Sequence, residues 1–136
     1  MGFILDASIA LSWCFSDESS ALSHQLLDRL EIESAYVPTI WQLEVGNILV
    51  SAERWKRISF AEINQLIEIL SKLNIEIDNE TDLKAFHEIL SLAYAEGLTT
   101  YDASYLELGM RKGLPLASKD LQLCKVAERL GVQILR

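Results

Sequence analysis

No stretch of this sequence reaches the roughly 18 consecutive apolar residues that a membrane-spanning helix requires, although half of its 136 residues are apolar. Cysteine is scarce. Cys14 and Cys124 stand far apart and belong to no CxxC or Cys/His cluster, which argues against a disulfide framework or a zinc signature and leaves two buried structural thiols in a reducing cytosol. GxGxxG, GxxxxGKS/T and GxSxG do not occur either, and with them go the simplest dinucleotide, nucleotide and serine-hydrolase readings. Basic charge is in deficit: 12 Lys and Arg face 20 Asp and Glu, a net charge of −8. A protein that coats nucleic acid by neutralising phosphates would carry the opposite balance.

Two further signatures start and fail. His87-Glu88 opens like a zincin helix, but Ser91 stands where the second histidine belongs. Asp78, Glu80 and Asp82 have calcium-loop spacing, yet Leu83 replaces the required Gly and Ile89 the bidentate Glu; they read as a solvated helix start. His24 has no evident partner. The amino-terminal MGFILDASIALSWCF lacks a basic segment, carries Asp6 in its middle and has no Ser or Thr at position 6, so it fits neither a secretory nor a myristoylation signal. The expectation is a soluble, cytoplasmic protein without a membrane partner.

What the chain does contain is enough apolar residue for one domain, which at this length buries about two-thirds of its unfolded surface. Phe3-Ile4-Leu5, Ala35-Tyr36-Val37, Ile75 to Ile77, Leu114 to Ala117 and Val132 to Leu135 read as five short strands. Helical spacing fills the intervals: 8–13, a Ser19/Ser20-capped helix to about 33, 38–54, a Ser59-capped helix, 81–96 ending at Gly97, one starting near Asp102, and 120–130. Strands alternating with helices predict a single α/β domain over 1–136, with a central, mainly parallel five-stranded sheet flanked by helices as a three-layer fold.

In such sheets, sites form beyond the carboxyl ends of strands. Asp6 follows the first strand, Asp120 lies just beyond the fourth, and Asp102 starts a helix after the loop Leu98 to Tyr101. Helix capping alone would account for Asp102 or Asp120. Asp6 resists that explanation because it interrupts an apolar run, where a carboxylate needs a cleft, a cation or strong donors. Glu44 sits between Ile40 and Ile48 on one helical row, a charge on an apolar ridge, for which a buried salt bridge is the alternative. Four carboxylates meeting without a cation would raise one another's pKa. Magnesium or manganese, hard ions that favour oxygen ligands, would relieve that cost and activate a water for attack at a phosphodiester.

These residues fall in LDAS (Asp6), LEVGN (Glu44, Asn47), TTYDASYL (Asp102) and LASKDLQL (Asp120). In that order and spacing, from residue 3 to 135, the chain resembles the PIN domain, and especially the VapC toxins of bacterial toxin-antitoxin pairs. The resemblance implies a PIN fold, a magnesium- or manganese-dependent endoribonuclease acting on structured RNA such as transfer or ribosomal RNA, a homodimer, and a cognate antitoxin. It makes Asp6, Glu44, Asp102 and Asp120 the catalytic and metal-holding quartet, with Ser8, Asn47 and Ser118 as supporting polar residues. Family members commonly have Thr before the fourth acid, whereas this chain reads Ser118-Lys119-Asp120, which makes Asp120 the least secure ligand.

Lys119, beside Asp120, is a candidate phosphate contact. It belongs to an otherwise basic tail, in which residues 104–136 carry six basic side chains against three acidic ones. Arg54-Trp55-Lys56-Arg57 could stack on and pair with RNA, or simply place cations at a helix end. Trp13 and Trp41 serve either the core or a partner rim. Two alternative readings are a PIN-like module that binds RNA or protein without cutting, and a phosphatase of the haloacid dehalogenase type. The latter would need a second Asp where Ser8 stands.

Overall fold

Phe3, Ile4 and Leu5 have no exposed surface, which requires their strand to be covered on both faces, as the central strand of a parallel sheet is. The computed structural model, which describes residues 1–136, places them in β1 (Gly2–Leu5), followed by α1 (Ala7–Cys14), a 3-10 turn, α2 (Ala21–Arg29) and β2 (Ser34–Val37). Next come α3 (Trp41–Arg54), α4 (Phe60–Ser71) and β3 (Ile75–Ile77). The chain then forms α5 (Thr81–Lys84), a π-helical turn (Ala85–Ile89), α6 (Leu90–Glu96), α7 (Thr100–Lys112), β4 (Leu116–Ala117) and α8 (Leu121–Arg129). The sheet is parallel throughout, in the order β3-β2-β1-β4.

Helix ends follow local chemistry. Ser20 and Ser59 each form a reciprocal capping box with the residue three further on, Ser23 and Glu62. Gly97 ends α6 in the left-handed region at φ 67°, a conformation that costs a glycine nothing. The predicted helix 81–96 is present but interrupted by its π turn, which adds one residue per turn locally.

Three expectations need correction. The sheet has four strands rather than five: residues 132–135 make only an isolated bridge between Ile134 and Leu116. Their partner β4 is two residues long and preceded by Pro115, which has no N–H to extend the ladder. Asp78 is not a solvated helix start but is buried, in a cluster with Arg111. Glu44 does not stand on the apolar ridge of α3, because the covered face is Trp41, Val45, Leu49 and Ala52 while Ile48 is 40% exposed. The row Ile40, Glu44, Ile48 is the flank of that face.

The core runs on both sides of β1. Residues 103–109 of α7 are all buried, Ser104 and Glu107 included, so this helix is enclosed on every side rather than amphipathic. Trp41 packs in the main core and Trp13 against it, its indole N–H donating to the Ser23 carbonyl at 2.7 Å. Both tryptophans therefore serve packing. No helix is long and apolar enough to cross a membrane.

Candidate active site

The strand order reverses at β1: successive strands β2 and β3 lie on one side of it and β4 on the other. The crevice at such a reversal, beyond the carboxyl ends of the strands, is where open parallel sheets bind ligands. Asp6 leaves β1 into that crevice and Asp120 follows β4, while α3 and α7 bring Glu44 and Asp102. The four carboxylates sit within each other's electrostatic reach: Asp120 and Asp6 act on Asp102, Asp6 and Asp102 act on Glu44, and Asp120 acts on Asp6.

Asp6 occupies the N-cap position of α1 but makes no capping bond. Its Oδ2 instead accepts from Ser8 Oγ at 2.9 Å and from Ser118 Oγ at 2.5 Å. Each serine also ties down the β4–α8 corner, for Ser118 Oγ accepts the Asp120 N–H and Ser8 Oγ the Lys119 N–H, both at 3.0 Å. The two hydroxyls thus lock the two corners of the crevice together through one carboxylate oxygen. Burial raises the Asp6 pKa, and the serine bonds only partly offset it.

Asp102 is not a cap either. Thr99 caps α7 by accepting the Asp102 N–H, which leaves the carboxylate free in the first turn, where the helix dipole favours it. Burial, then Asp120 and Asp6, push its pKa up to about 6. Asp120 does cap α8, accepting from the Leu123 N–H at 3.0 Å through Oδ1; Oδ2 has no such bond. Capping and site membership are therefore compatible in one residue. Glu44, half-buried, accepts from the Tyr105 hydroxyl at 2.5 Å; burial raises its pKa, Tyr105 opposes that, and Asp6 and Asp102 raise it further.

None of the four acids is ion-paired with a basic side chain, so the salt-bridge alternative for Glu44 does not hold. Lys119 lies next to Asp120 in sequence, but its ammonium donates to the Glu18 carbonyl. Asn47 is exposed on α3 and bonds to none of the acids. Arg57 is held by Asp17 and Glu18 and lies over the Phe15 ring, 4.0 Å from its centroid, whereas Trp55 is 86% exposed. In the basic tail, Arg111, Arg129 and Arg136 are paired with acids.

The donor set fits a hard divalent ion: it is all oxygen, negatively charged and without an internal counter-ion. No three or more His, Cys, Asp or Glu side chains lie together as a group that could by itself hold a metal ion. That is compatible with magnesium, which keeps several of its waters and takes one or two carboxylates rather than a full protein cage. The apolar hollow of about 430 Å³ between α3, α4 and β3, lined by Trp41, Val45 and Leu70 among others, contains none of the acids. The candidate site is a charged crevice, distinct from that hollow.

The PIN domain family model matches residues 3–129. The chain belongs to the PIN domain family. With that membership the haloacid dehalogenase alternative falls. Among curated proteins, the chain is 35% identical over 81 residues to exonuclease VapC9 of Pyrobaculum aerophilum, an alignment covering 59% of this chain and 57% of that one; it thus spans just over half of that relative. Among solved structures it is similar to PAE2754 of Pyrobaculum aerophilum (TM-score 0.68, 23% identity, 96% and 95% of the two chains). It is also similar to VapBC2 of Rickettsia felis bound to a DNA fragment from its promoter (TM-score 0.68, 14% identity, 100% and 98%). A third likeness is to FitAcB of Neisseria gonorrhoeae (TM-score 0.65, 18% identity, 100% and 97%). At these identities the structures establish a common PIN fold.

The sequence alone did not reveal Tyr105 as part of the site. It lies within the quoted motif TTYDASYL, three residues after Asp102 and so on the same helical face; that spacing was the available signal.

Proposed function

We propose that this PIN domain is a magnesium- or manganese-dependent endoribonuclease, the toxin of a toxin-antitoxin pair, that cuts structured RNA such as transfer or ribosomal RNA. The observation that carries the reading is the uncompensated acidic quartet at the strand reversal of a PIN fold, since four acids without an internal cation call for an external one. Asp6, Glu44, Asp102 and Asp120 would hold it, one or two of them directly and the others through its bound waters. A bound divalent ion would supply Lewis acidity at a phosphodiester oxygen and a nucleophilic water near neutral pH. Ser8 and Ser118 orient Asp6, and the Asp120 cap fixes its Oδ1 so that Oδ2 is the free oxygen. Lys119 would meet a phosphate only by leaving the Glu18 carbonyl.

Partner binding draws support from exposed apolar side chains on the helices leading to Asp102: Phe86 is 84% exposed, Tyr94 90% and Tyr101 56%. Such a run suits a protein interface, a homodimer or an antitoxin. The relative named as an exonuclease makes the cutting mode the sharpest point. Purified protein incubated with circular and with end-labelled transfer RNA, in manganese or chelator, should cut the circle only with metal; a protein that shortens only free ends acts as an exonuclease. Asp6→Asn and Asp102→Asn should each lower cleavage roughly 100-fold or more, at least the loss that removing a ligand's supporting partner brings. Metal-independent cleavage, or full activity in both variants, would overturn the reading.

A further inference from the structure

We infer that Tyr105 is a positioning residue that leaves Glu44 a single oxygen to offer to a cation and thereby favours magnesium or manganese over calcium; this rests on the metal-site reading above. Tyr105 has no exposed surface, and a phenol so buried must donate its proton somewhere. It donates to Glu44 Oε1, 61 residues away in sequence and on another helix, at 2.5 Å. Hydrogen bonds from a hydroxyl to a carboxylate are the short, strong, charge-assisted kind. Glu44 Oε2 has no hydrogen-bond partner in the protein.

The consequence is geometric. Glu44 reaches the crevice from α3, whereas Asp102 and Tyr105 both come from α7. A free glutamate samples many rotamers and can present both oxygens at once. Tied at Oε1, it is fixed across the crevice and presents Oε2 alone. Calcium takes carboxylates in one- or two-oxygen mode within a flexible shell of 6–8 oxygens, whereas magnesium demands near-octahedral geometry and a rigid, small ligand set. A glutamate restricted to one oxygen suits the second requirement. Packing alone does not explain the residue, because Phe would fill the same volume without an acceptor to find.

Tyr105→Phe tests this by removing one oxygen atom. Binding of manganese and of calcium, each alone, is titrated calorimetrically on wild type and variant, alongside thermal unfolding without metal. The expected result is roughly tenfold weaker manganese binding, as for loss of a supporting partner around a metal ligand, with calcium binding unchanged or tighter, in a protein that still unfolds cooperatively. In a Glu44→Gln background, Tyr105→Phe should then change manganese affinity no further. Equal manganese affinities and an unchanged manganese-to-calcium ratio would overturn the proposal while leaving the metal site standing. Wild type that binds neither ion would overturn the metal site and the proposal together.

A second measurement needs no change at Tyr105, should Phe cost the fold. With ring-labelled tyrosine, the Cζ resonance that moves in Glu44→Gln belongs to Tyr105. It should hold its position when magnesium saturates the wild type, because the bond persists. A shift on magnesium addition as large as that of Glu44→Gln would mean that the cation displaces the hydroxyl, and the proposal fails.

Discussion

Two groups of carboxylates meet the same helix at its two ends, and the protein treats them oppositely. At the carboxyl end of α7, Asp78 and Glu107 close on Arg111. The Arg111 Nη2 lies 2.7 Å from Asp78 Oδ2 and its Nε 2.9 Å from Glu107 Oε2, with side chains only 19%, 3% and 10% exposed. Burial would raise the Asp78 pKa, but Arg111 and Thr81 outweigh it and hold the group below its usual value. At the amino end, Asp102 gathers with Asp6, Glu44 and Asp120, and no basic side chain enters. There every resolved shift runs upward. The difference separates the two clusters: an acid group with its counter-ion built in joins parts of the fold, and one without it is where, on the function proposed above, a cation from outside would be held.

The comparison breaks most sharply at Arg111. Taking the guanidinium away leaves two buried carboxylates uncompensated, so Arg111→Ala should destabilise the protein by about 3–5 kcal/mol, read as a fall in the urea midpoint. Because a buried ion pair exchanged for neutral groups of similar shape is often nearly free, adding Asp78→Asn and Glu107→Gln to Arg111→Met should restore most of that loss. A loss below about 1 kcal/mol for Arg111→Ala would show that the cluster is surface decoration and not a joint.

The opposite end should respond to metal instead. A ligand that binds only the folded state stabilises it by about 2.7 kcal/mol at one hundred times its dissociation constant, so saturating manganese should raise the melting temperature by several degrees, and chelator should reverse the rise. Asp6→Asn should abolish most of it. Arg111→Ala, though less stable at the outset, should keep the same increment, because it leaves the amino-terminal acids intact. No manganese effect on wild type would erase the distinction between the two clusters.

The sequence announced one of these clusters and hid the other, for a physical reason. Asp6 is visible because a carboxylate inside the apolar run from Phe3 to Leu11 has no cheap explanation, Asp120 because it follows the short apolar run of β4, and Asp102 because it opens a helix after the short loop 98–101. Glu44 is marked in the sequence by the LEVGN motif, whereas the apolar ridge expected around it is a half-exposed flank of α3. Asp78 looks solvated in the sequence because its partner lies 33 residues on, and no local pattern marks a pair formed only when the residue after β3 meets Arg111 of α7. The same limit hid Tyr105, whose acceptor is on α3. Strand edges were legible except for residues 132–135, where the pairing depends on how little of β4 remains after Pro115.

The smallest effect gives the finest test, because it has an unusual sign. In metal-free protein the Asp102 pKa stands at about 6 against a reference of 3.8, so the folded chain holds this proton more tightly than the unfolded one does. The carboxylate therefore costs nothing below about pH 3.8, costs more as pH rises between the two values, and costs its full amount above pH 6. Asp78, held low, behaves in the reverse way: its contribution is present above the ordinary carboxylate pKa and is lost as pH falls through its lower folded value. Asp102→Asn should consequently stabilise the metal-free protein at pH 7.5 by about 1 kcal/mol, after discounting for its half-exposed position, and this gain should shrink toward zero by pH 4. A metal-free Asp102→Asn protein less stable than wild type at pH 7.5 would mean that the amino-terminal acids are compensated after all, and that the two ends of α7 do not differ in kind.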